Sequence, residues 1–142
     1  LATATGFGNP RRMSTGFDYN RMSLILAVLE KRAGYYFSNT DAYINVVGGL
    51  RLDEPAVDIA VAMALVSSLK DIPISDDCIA FGEIGLAGEI RSVSHAQQRV
   101  NEALRLGFKK IILPYHNMKD VTEDKCLIPV SNIRQAFEAV SE

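Results

Sequence analysis

Asp58 is the one charged residue in the apolar run 56–66 of the segment 51–71, which reads RLDEPAVDIAVAMALVSSLKD. A lone carboxylate near the start of such a segment has two interpretations. It complements the positive end of a helix dipole and caps free backbone N–H groups, or it marks a former active site at the beginning of the helix. The residue type alone leaves both interpretations open.

The residues around Asp58 predict a buried helix over 51–71. Asp53 and Glu54 place carboxylates where free N–H groups gather at a helix N-terminus, and Pro55 suits a first turn. Apolar residues then follow on every side of the helix. Because a helix without a polar face is packed on all sides by its domain, we expect this helix to form the centre of the core.

The histidines and cysteines do not form a recognisable metal or redox motif. His95 and His116 lack a second ligand at metal-binding spacing, and Cys78 and Cys126 fit neither a disulfide framework nor a zinc site. We expect both thiols to be reduced and buried, in a cytoplasmic protein. No G-x-x-x-x-G-K-[ST] sequence occurs, so we expect no cofactor and no metal in this chain.

The composition is that of an ordinary globular domain. The 142 residues, 48% apolar and 23% charged, suffice for one full core, so we expect 1–142 to form a single domain. No apolar run approaches the ~20 residues of a membrane span, so no membrane partner is expected. No signal peptide is visible and Leu1 is not a start methionine, so we expect a fragment of a longer protein.

The charged residues are unevenly distributed. A net charge of −2 argues against a nucleic-acid-binding protein. Residues 1–34 nevertheless hold five basic and two acidic residues, residues 88–110 hold the same numbers, and the rest of the chain is acidic. These two segments form one basic face if the fold brings them together. Alternatively, they are solvated surfaces and ion-pair partners.

Patterning predicts the element order β, α, β, α, β, β, α, β, β, α, with helices over a mixed sheet. In the N-terminal half we expect a strand end that passes into a loop over 1–17 and a helix capped by Asp18 and stopped by Gly34. A strand over 41–47 and the central helix follow. In the C-terminal half we expect strands at 78–84, 86–93, 109–114 and 126–129, the first two joined tightly around Gly85, and helices capped by Ser94 and Ser131.

A set of motifs from about residue 41 onward resembles the proteolytic domain of Lon-type ATP-dependent proteases. That family's signature is DGPSAG at the start of an apolar helix, then a proline-containing link, then GEI-x-L-x-G. The matching segments are DEPAVD at 53–58, Pro73, and GEIGLAG at 82–88, followed by LGFKKIILP at 106–114. The resemblance implies an α+β fold of the Lon proteolytic-domain type (ribosomal protein S5 domain 2-like), with helices packed on a mixed sheet.

The N-terminal third narrows the resemblance. ATGFGNPRRMSTGFDYNRMSLILAVLEKRAG at 4–34, with FGEIGLAGEIR at 81–91, is similar to the C-terminal domain of the RadA (Sms) family of bacterial DNA-repair proteins. That family implies a parent protein with a zinc finger and a RecA-like ATPase, which would hold the zinc, ATP and magnesium, assembled as a hexameric ring. It also implies DNA repair and recombination, migration of branched DNA, and a RecA-type recombinase as partner.

The resemblance further implies that this chain is not a peptidase. Lon-type proteases use a Ser–Lys dyad, and the two matching positions are Ala56 and Arg99. Alanine offers no nucleophile, and a guanidinium with a pKa above ~12 cannot act as the general base. Asp58 replaces a glycine and adds negative charge where an acyl intermediate would need space. We hypothesise that Asp58 and Arg99 form an ion pair in the vacated site.

The leading functional hypothesis is a non-catalytic scaffold that assembles the ring and contacts double-stranded or branched DNA. No aromatic stacking platform and no recognition helix is visible, so we expect sequence-independent, salt-dependent binding to phosphates. The candidate phosphate contacts are the basic residues of the two positive segments: Arg11, Arg12, Arg21, Arg91, Arg99, Lys109 and Lys110.

Two alternatives remain from the sequence. The first is a pure oligomerisation domain without DNA contact, in which Arg11 and Arg12 pair with Asp76, Asp77 or Glu83 of a neighbouring subunit. The second is a peptidase of unusual chemistry, which the missing dyad disfavours.

Overall fold

The computed structural model describes residues 1–6, 8–46 and 54–140 and has the α+β fold that the sequence predicts. The first sheet contains β1 (Ala2–Ala4), β2 (Arg12–Thr15) and β3 (Thr40–Asn45), with β3 in the middle. β3 runs antiparallel to β1 and parallel to β2. Strand β2 was not expected, because Gly8 and Pro10 indicated a continuous loop.

The second sheet is parallel, in the order β4 (Cys78–Ala80), β7 (Lys110–Pro114) and β8 (Leu127–Val130). A separate hairpin pairs β5 (Glu83–Ile84) with β6 (Ile90–Arg91). The expected long strands at 78–84 and 86–93 are therefore wrong in extent. The chain leaves β4 at Phe81, and the hairpin turn spans residues 85–89 rather than Gly85 alone, with Gly85 N donating to Glu89 O at 2.9 Å.

In the part of the chain that the structure describes, four helices cover these sheets: α1 (Tyr19–Ala33), α2 (Asp58–Lys70), α3 (Ala96–Arg105) and α4 (Ile133–Val140). Short 3₁₀ helices occupy Pro55–Val57 and Tyr115–Asp120. The boundaries of α1 confirm the prediction. The side chain of Asp18 accepts a hydrogen bond from Arg21 N, and Gly34 ends the helix in the left-handed conformation that glycine adopts without strain.

The central helix differs from its prediction in two respects. It begins at Asp58, after the 3₁₀ turn, and Glu54 makes no side-chain capping hydrogen bond; residues 51–53, including the expected cap Asp53, lie outside the described part. The helix is also not buried on every side, since Ala60 and Ala64, one turn apart, are exposed. Apolar character overestimated burial here because small alanine side chains tolerate solvent.

Both expected serine caps are one residue away from the true N-cap. His95, at φ +60°, precedes α3, and Gln97 accepts a hydrogen bond from Thr122 N instead of forming a capping box. Asn132 caps α4 by accepting a hydrogen bond from Gln135 N at 3.0 Å.

The thiols also differ from expectation. Cys78 and Cys126 are free, as expected, but only half-buried.

The core lies on both faces of the second sheet. Ile112 of β7 joins the large cluster formed with α1, α2 and α4, whereas Ile111 and Leu113 face a smaller cluster beneath α3. Alternate strand residues point to opposite faces, which explains why β7 is apolar throughout. The arrangement places the beginning of α2 beside β4 and α3, where the candidate site lies.

Candidate functional site

The site begins at Ala56, whose methyl group is only 3% exposed. Its carbonyl accepts a hydrogen bond from Gly82 N at 2.8 Å, and Ile59 N donates to Gly82 O at 3.2 Å. A Cβ atom at Gly82 would lie 2.6 Å from Ile59 Cδ1, and the φ of Gly82 is +152°. Only glycine therefore allows the segment after β4 to cross this closely over the start of α2.

Asp58 is completely buried in the first turn of α2. Its carboxylate accepts two hydrogen bonds from the guanidinium of Arg21, one of them from Nε at 3.1 Å, and one from Ile84 N at 3.0 Å. Arg21 also donates to Ile84 O at 3.0 Å. Asp58 thus joins α1, α2 and β5, so its role in this structure is to connect elements.

The charge of Arg21 is secured by this contact. The hydrogen bond that Arg21 donates to Asp58 raises the pKa of the guanidinium above its ordinary value and outweighs burial, which lowers it. Glu83, 3.9 Å from Arg21 and 4.0 Å from Arg91, adds a second carboxylate. Arg21 therefore stays protonated in the folded chain.

Arg99 does not contact Asp58, so the hypothesised ion pair between them is wrong. The guanidinium of Arg99 forms its ion pair with Glu54, and Nε donates to Ser94 O at 2.9 Å. Its Cζ atom also lies 5.9 Å from the centre of the Phe81 ring. Asp58 points inward to α1 instead. Sequence reasoning missed both true partners because they lie 37 and 45 residues away, with no local signal.

A cleft of about 590 Å³ lies between the Pro55–Val57 turn, the β4 region and α3. Ala56 and Ala60 form one wall, Ile79 and Phe81 form the floor, and Arg99 lies on the α3 side. None of the described residues that line it carries a hydroxyl, a thiol or an ammonium group. Among these described residues, His95 contributes the only imidazole. The cleft can bind a ligand, but the described lining offers no hydroxyl or thiol nucleophile for acyl transfer.

The structure distributes the seven candidate phosphate contacts over separate elements. Arg11 and Arg12 lie at the start of the β2 region, Lys109 and Lys110 at the start of the β7 region, and Arg99 in the cleft. Only Arg21 and Arg91 are brought together, by their shared neighbour Glu83. The structure therefore brings one arginine from each positive sequence segment together at Glu83, and a common basic face built from all seven residues stays a prediction.

Four of the seven, Arg12, Arg21, Arg91 and Arg99, use their guanidinium groups within the chain. Arg12 donates to the carbonyls of Phe37 and Thr40, the first at 2.7 Å. Arg21 and Arg99 have the partners described above. Arg11 and Lys109 are exposed, and Arg91 has a side chain that is 56% exposed although it lies near Glu83 and Glu89.

No metal or membrane feature accompanies the cleft. Within the described residues, no group of three His, Cys, Asp or Glu side chains is arranged to hold a metal ion. In the same part of the chain, every helix is too short or too polar to span a lipid bilayer.

Comparison with known proteins identifies the family. The family model of the Lon protease (S16) C-terminal proteolytic domain matches residues 21–140. The chain therefore belongs to this family.

Individual relatives confirm the resemblance seen in the sequence. The DNA repair protein RadA of Halalkalibacterium halodurans is 50% identical over 140 residues, which make up 97% of this chain and 31% of the relative. RadA of Bacillus subtilis is 49% identical over 139 residues, 96% of this chain and 30% of the relative. RadA of Streptococcus pneumoniae is 49% identical over 142 residues, 99% of this chain and 34% of the relative. The chain thus spans about a third of the length of these relatives.

Proposed function

We propose that this Lon-family domain is a non-catalytic part of a RadA-type DNA-repair protein, where it holds a ring-shaped homo-oligomer together and contacts double-stranded or branched DNA. The rest of such a protein would supply a zinc finger and an ATPase that uses ATP and magnesium, and the ring would be a hexamer. This role serves branch migration during recombination. The process takes place in the bacterial cytoplasm, together with a RecA-type recombinase.

The chemistry of the cleft carries the proposal. The family resemblance assigns two positions to the Ser–Lys dyad. One holds the buried methyl group of Ala56, and the other holds the guanidinium of Arg99, which forms an ion pair with Glu54. Without a hydroxyl there is no nucleophile to form an acyl intermediate, and a guanidinium cannot accept the proton. A cleft with this chemistry supports a structural role in place of proteolysis.

Contact with DNA is supported by the relatives, which are DNA repair proteins, and by the exposed cations. Arg11, Arg91 and Lys109 are the exposed members of the candidate set, and the half-buried Lys110 adjoins Lys109. With a net charge of −2, one chain attracts a polyanion weakly. Several copies around a ring would multiply such weak contacts because each further contact is intramolecular.

The first test measures the mass of the chain in solution while it is titrated with fluorescent double-stranded DNA at low and moderate salt. We expect a ring-sized species whose affinity falls steeply with salt, because phosphate binding releases counterions. A ring that ignores DNA even at low salt would remove DNA contact from the proposal. Labelling of the chain by a serine-reactive probe would refute the non-catalytic assignment.

An assembly-only domain is the second candidate, and the exposed face of α2 favours it. Ala60 and Ala64 leave an apolar strip exposed on a helix whose larger apolar residues are buried or partly buried, as a contact between copies would require. The ion pairs first expected between subunits are less available, since Arg12 and Glu83 are engaged within their own chain. Arg11 with Asp76 remains the simplest such pair.

A further inference from the structure

The end of α1 and the beginning of α4 meet and bring together basic residues that lie far apart in the sequence. Arg134 donates from Nε to the carbonyl oxygen of Arg32 at 3.0 Å, across 102 residues. Lys31 precedes Arg32 in the last turn of α1, and all three side chains belong to exposed residues. We call Lys31, Arg32 and Arg134 the α1–α4 basic patch.

The hairpin turn between β5 and β6 supports this patch from behind. A Cβ atom at Gly88, where φ is +81°, would lie 3.0 Å from Arg32 Cβ and 3.5 Å from Ile133 Cγ2. Ile133 N also donates to Gly88 O at 2.9 Å. The backbone of the turn therefore fixes the base of Arg32 and the first residue of α4, so the patch rests on rigid elements.

The cations of the patch differ from most other arginines of the chain in their partners. Arg21, Arg91, Arg99 and Arg105 each form an ion pair with a carboxylate. Among the residues that the structure describes, no carboxylate forms an ion pair with any member of the patch.

The nearby carboxylates are engaged elsewhere or too far away. Glu89, in the supporting turn, lies 3.8 Å from Arg91. Glu30, one turn before the end of α1, accepts hydrogen bonds from Ser38 Oγ and Phe37 N. Glu138, one turn beyond Arg134 on α4, makes no ion pair with it. Like charges held together without a counter-charge repel one another, so the patch is a surface that an anion would stabilise.

We propose that the α1–α4 basic patch binds the phosphate backbone of double-stranded DNA. Guanidinium groups match phosphate oxygens with paired N–H donors. Arg134 uses only Nε in its contact with Arg32, which leaves its terminal N–H groups for phosphates. This inference rests on the proposed function and gives it a specific surface, different from the seven residues that the sequence suggested.

The test compares DNA affinity over a range of salt concentrations for the wild-type chain and for Arg32→Gln/Arg134→Gln. We expect about tenfold weaker binding per lost arginine at low salt. The slope of log affinity against log salt should fall by about 1 for each phosphate contact removed. The variant Arg32→Lys/Arg134→Lys retains both charges and should keep most of the slope. Its thermal melt shows whether loss of the hydrogen bond between Arg134 and Arg32 disturbs the fold.

The matched control is Arg105→Gln/Lys119→Gln, which removes the same charge from exposed residues of other elements. We expect it to bind DNA with the wild-type slope. If the patch variant also keeps the wild-type slope while wild-type binds, the patch is wrong and the proposed DNA contact stands. If wild-type binds DNA at none of the salt concentrations, the DNA contact in the proposed function fails and the patch fails with it. A further outcome is that wild-type binds phosphatidylserine vesicles as tightly as DNA while the patch variant does not. That result would assign the patch to lipid headgroups and overturn the inference.

Discussion

Arg21 and Asp58 form a two-pronged ion pair that joins α1 to the first turn of α2, and the carboxylate is completely buried. Neither residue has an equivalent role in a Ser–Lys mechanism. Their contact, with Ile84 N as a third donor, fills the region beside Ala56 with a structural network. The stability of the domain should therefore depend on the contacts around the first turn of α2.

Asp58→Ala should lower the free energy of unfolding by about 3–5 kcal/mol, because it leaves the partly buried guanidinium of Arg21 without its partner. Urea unfolding followed by circular dichroism measures this loss. Glu102→Ala, which breaks the exposed pair with Arg105, is the matched control and should leave the unfolding midpoint nearly unchanged. An Asp58→Ala midpoint equal to that of wild-type would show that the pair does not form.

Gly82→Ala should destabilise the fold by about 1–3 kcal/mol, because the new methyl group overlaps Ile59 in a packed region. Gly6→Ala offers a control, since a Cβ atom there would meet nothing within 4 Å, and it should leave stability unchanged. Thermal melts of the two variants make the comparison. A stable Gly82→Ala protein would mean that the crossing of α2 by residues 81–83 is looser than described.

Ala56→Ser/Arg99→Lys introduces serine and lysine at the two positions that the family resemblance assigns to the dyad, and it should not produce a reactive serine. The lysine would lie beside Glu54 and near the Phe81 ring, and both favour its protonated form. A fluorophosphonate probe should therefore label this variant no faster than wild-type at pH 7. Adding Glu54→Gln removes the counter-ion and should allow some labelling. Rapid labelling of the double variant would contradict this account of the cleft.

The thiol of Cys78 should react slowly with iodoacetamide in the folded protein, because burial raises its pKa and reduces the thiolate fraction. In a Cys126→Ser background, the folded chain should alkylate more slowly at pH 8 than the chain in urea. The thiol ionises at a lower pH in the unfolded chain than in the folded chain, so raising the pH favours unfolding. The contribution of Cys78 to stability is therefore present below the unfolded pKa and is lost as pH rises through the folded pKa. Equal folded and unfolded rates would refute this prediction.

The fold class, the limits of α1 and the chemistry that the cleft lacks could all be predicted without coordinates. Asp18 and Gly34 act through neighbouring backbone groups, so local sequence suffices to place them. The identities of Ala56 and Arg99 likewise needed no coordinates, because a missing hydroxyl and a permanently charged guanidinium are properties of the residues themselves.

The tertiary structure decided which charged groups pair. Asp58 is bound to Arg21 instead of Arg99, Arg99 to Glu54, and Arg134 rests on the end of α1. These contacts join residues 37, 45 and 102 positions apart. Long side chains can reach several alternative partners, and only the packing of the helices fixes which partner lies within hydrogen-bond distance. For the same reason the basic surface proposed here became visible only when α1 and α4 were seen side by side.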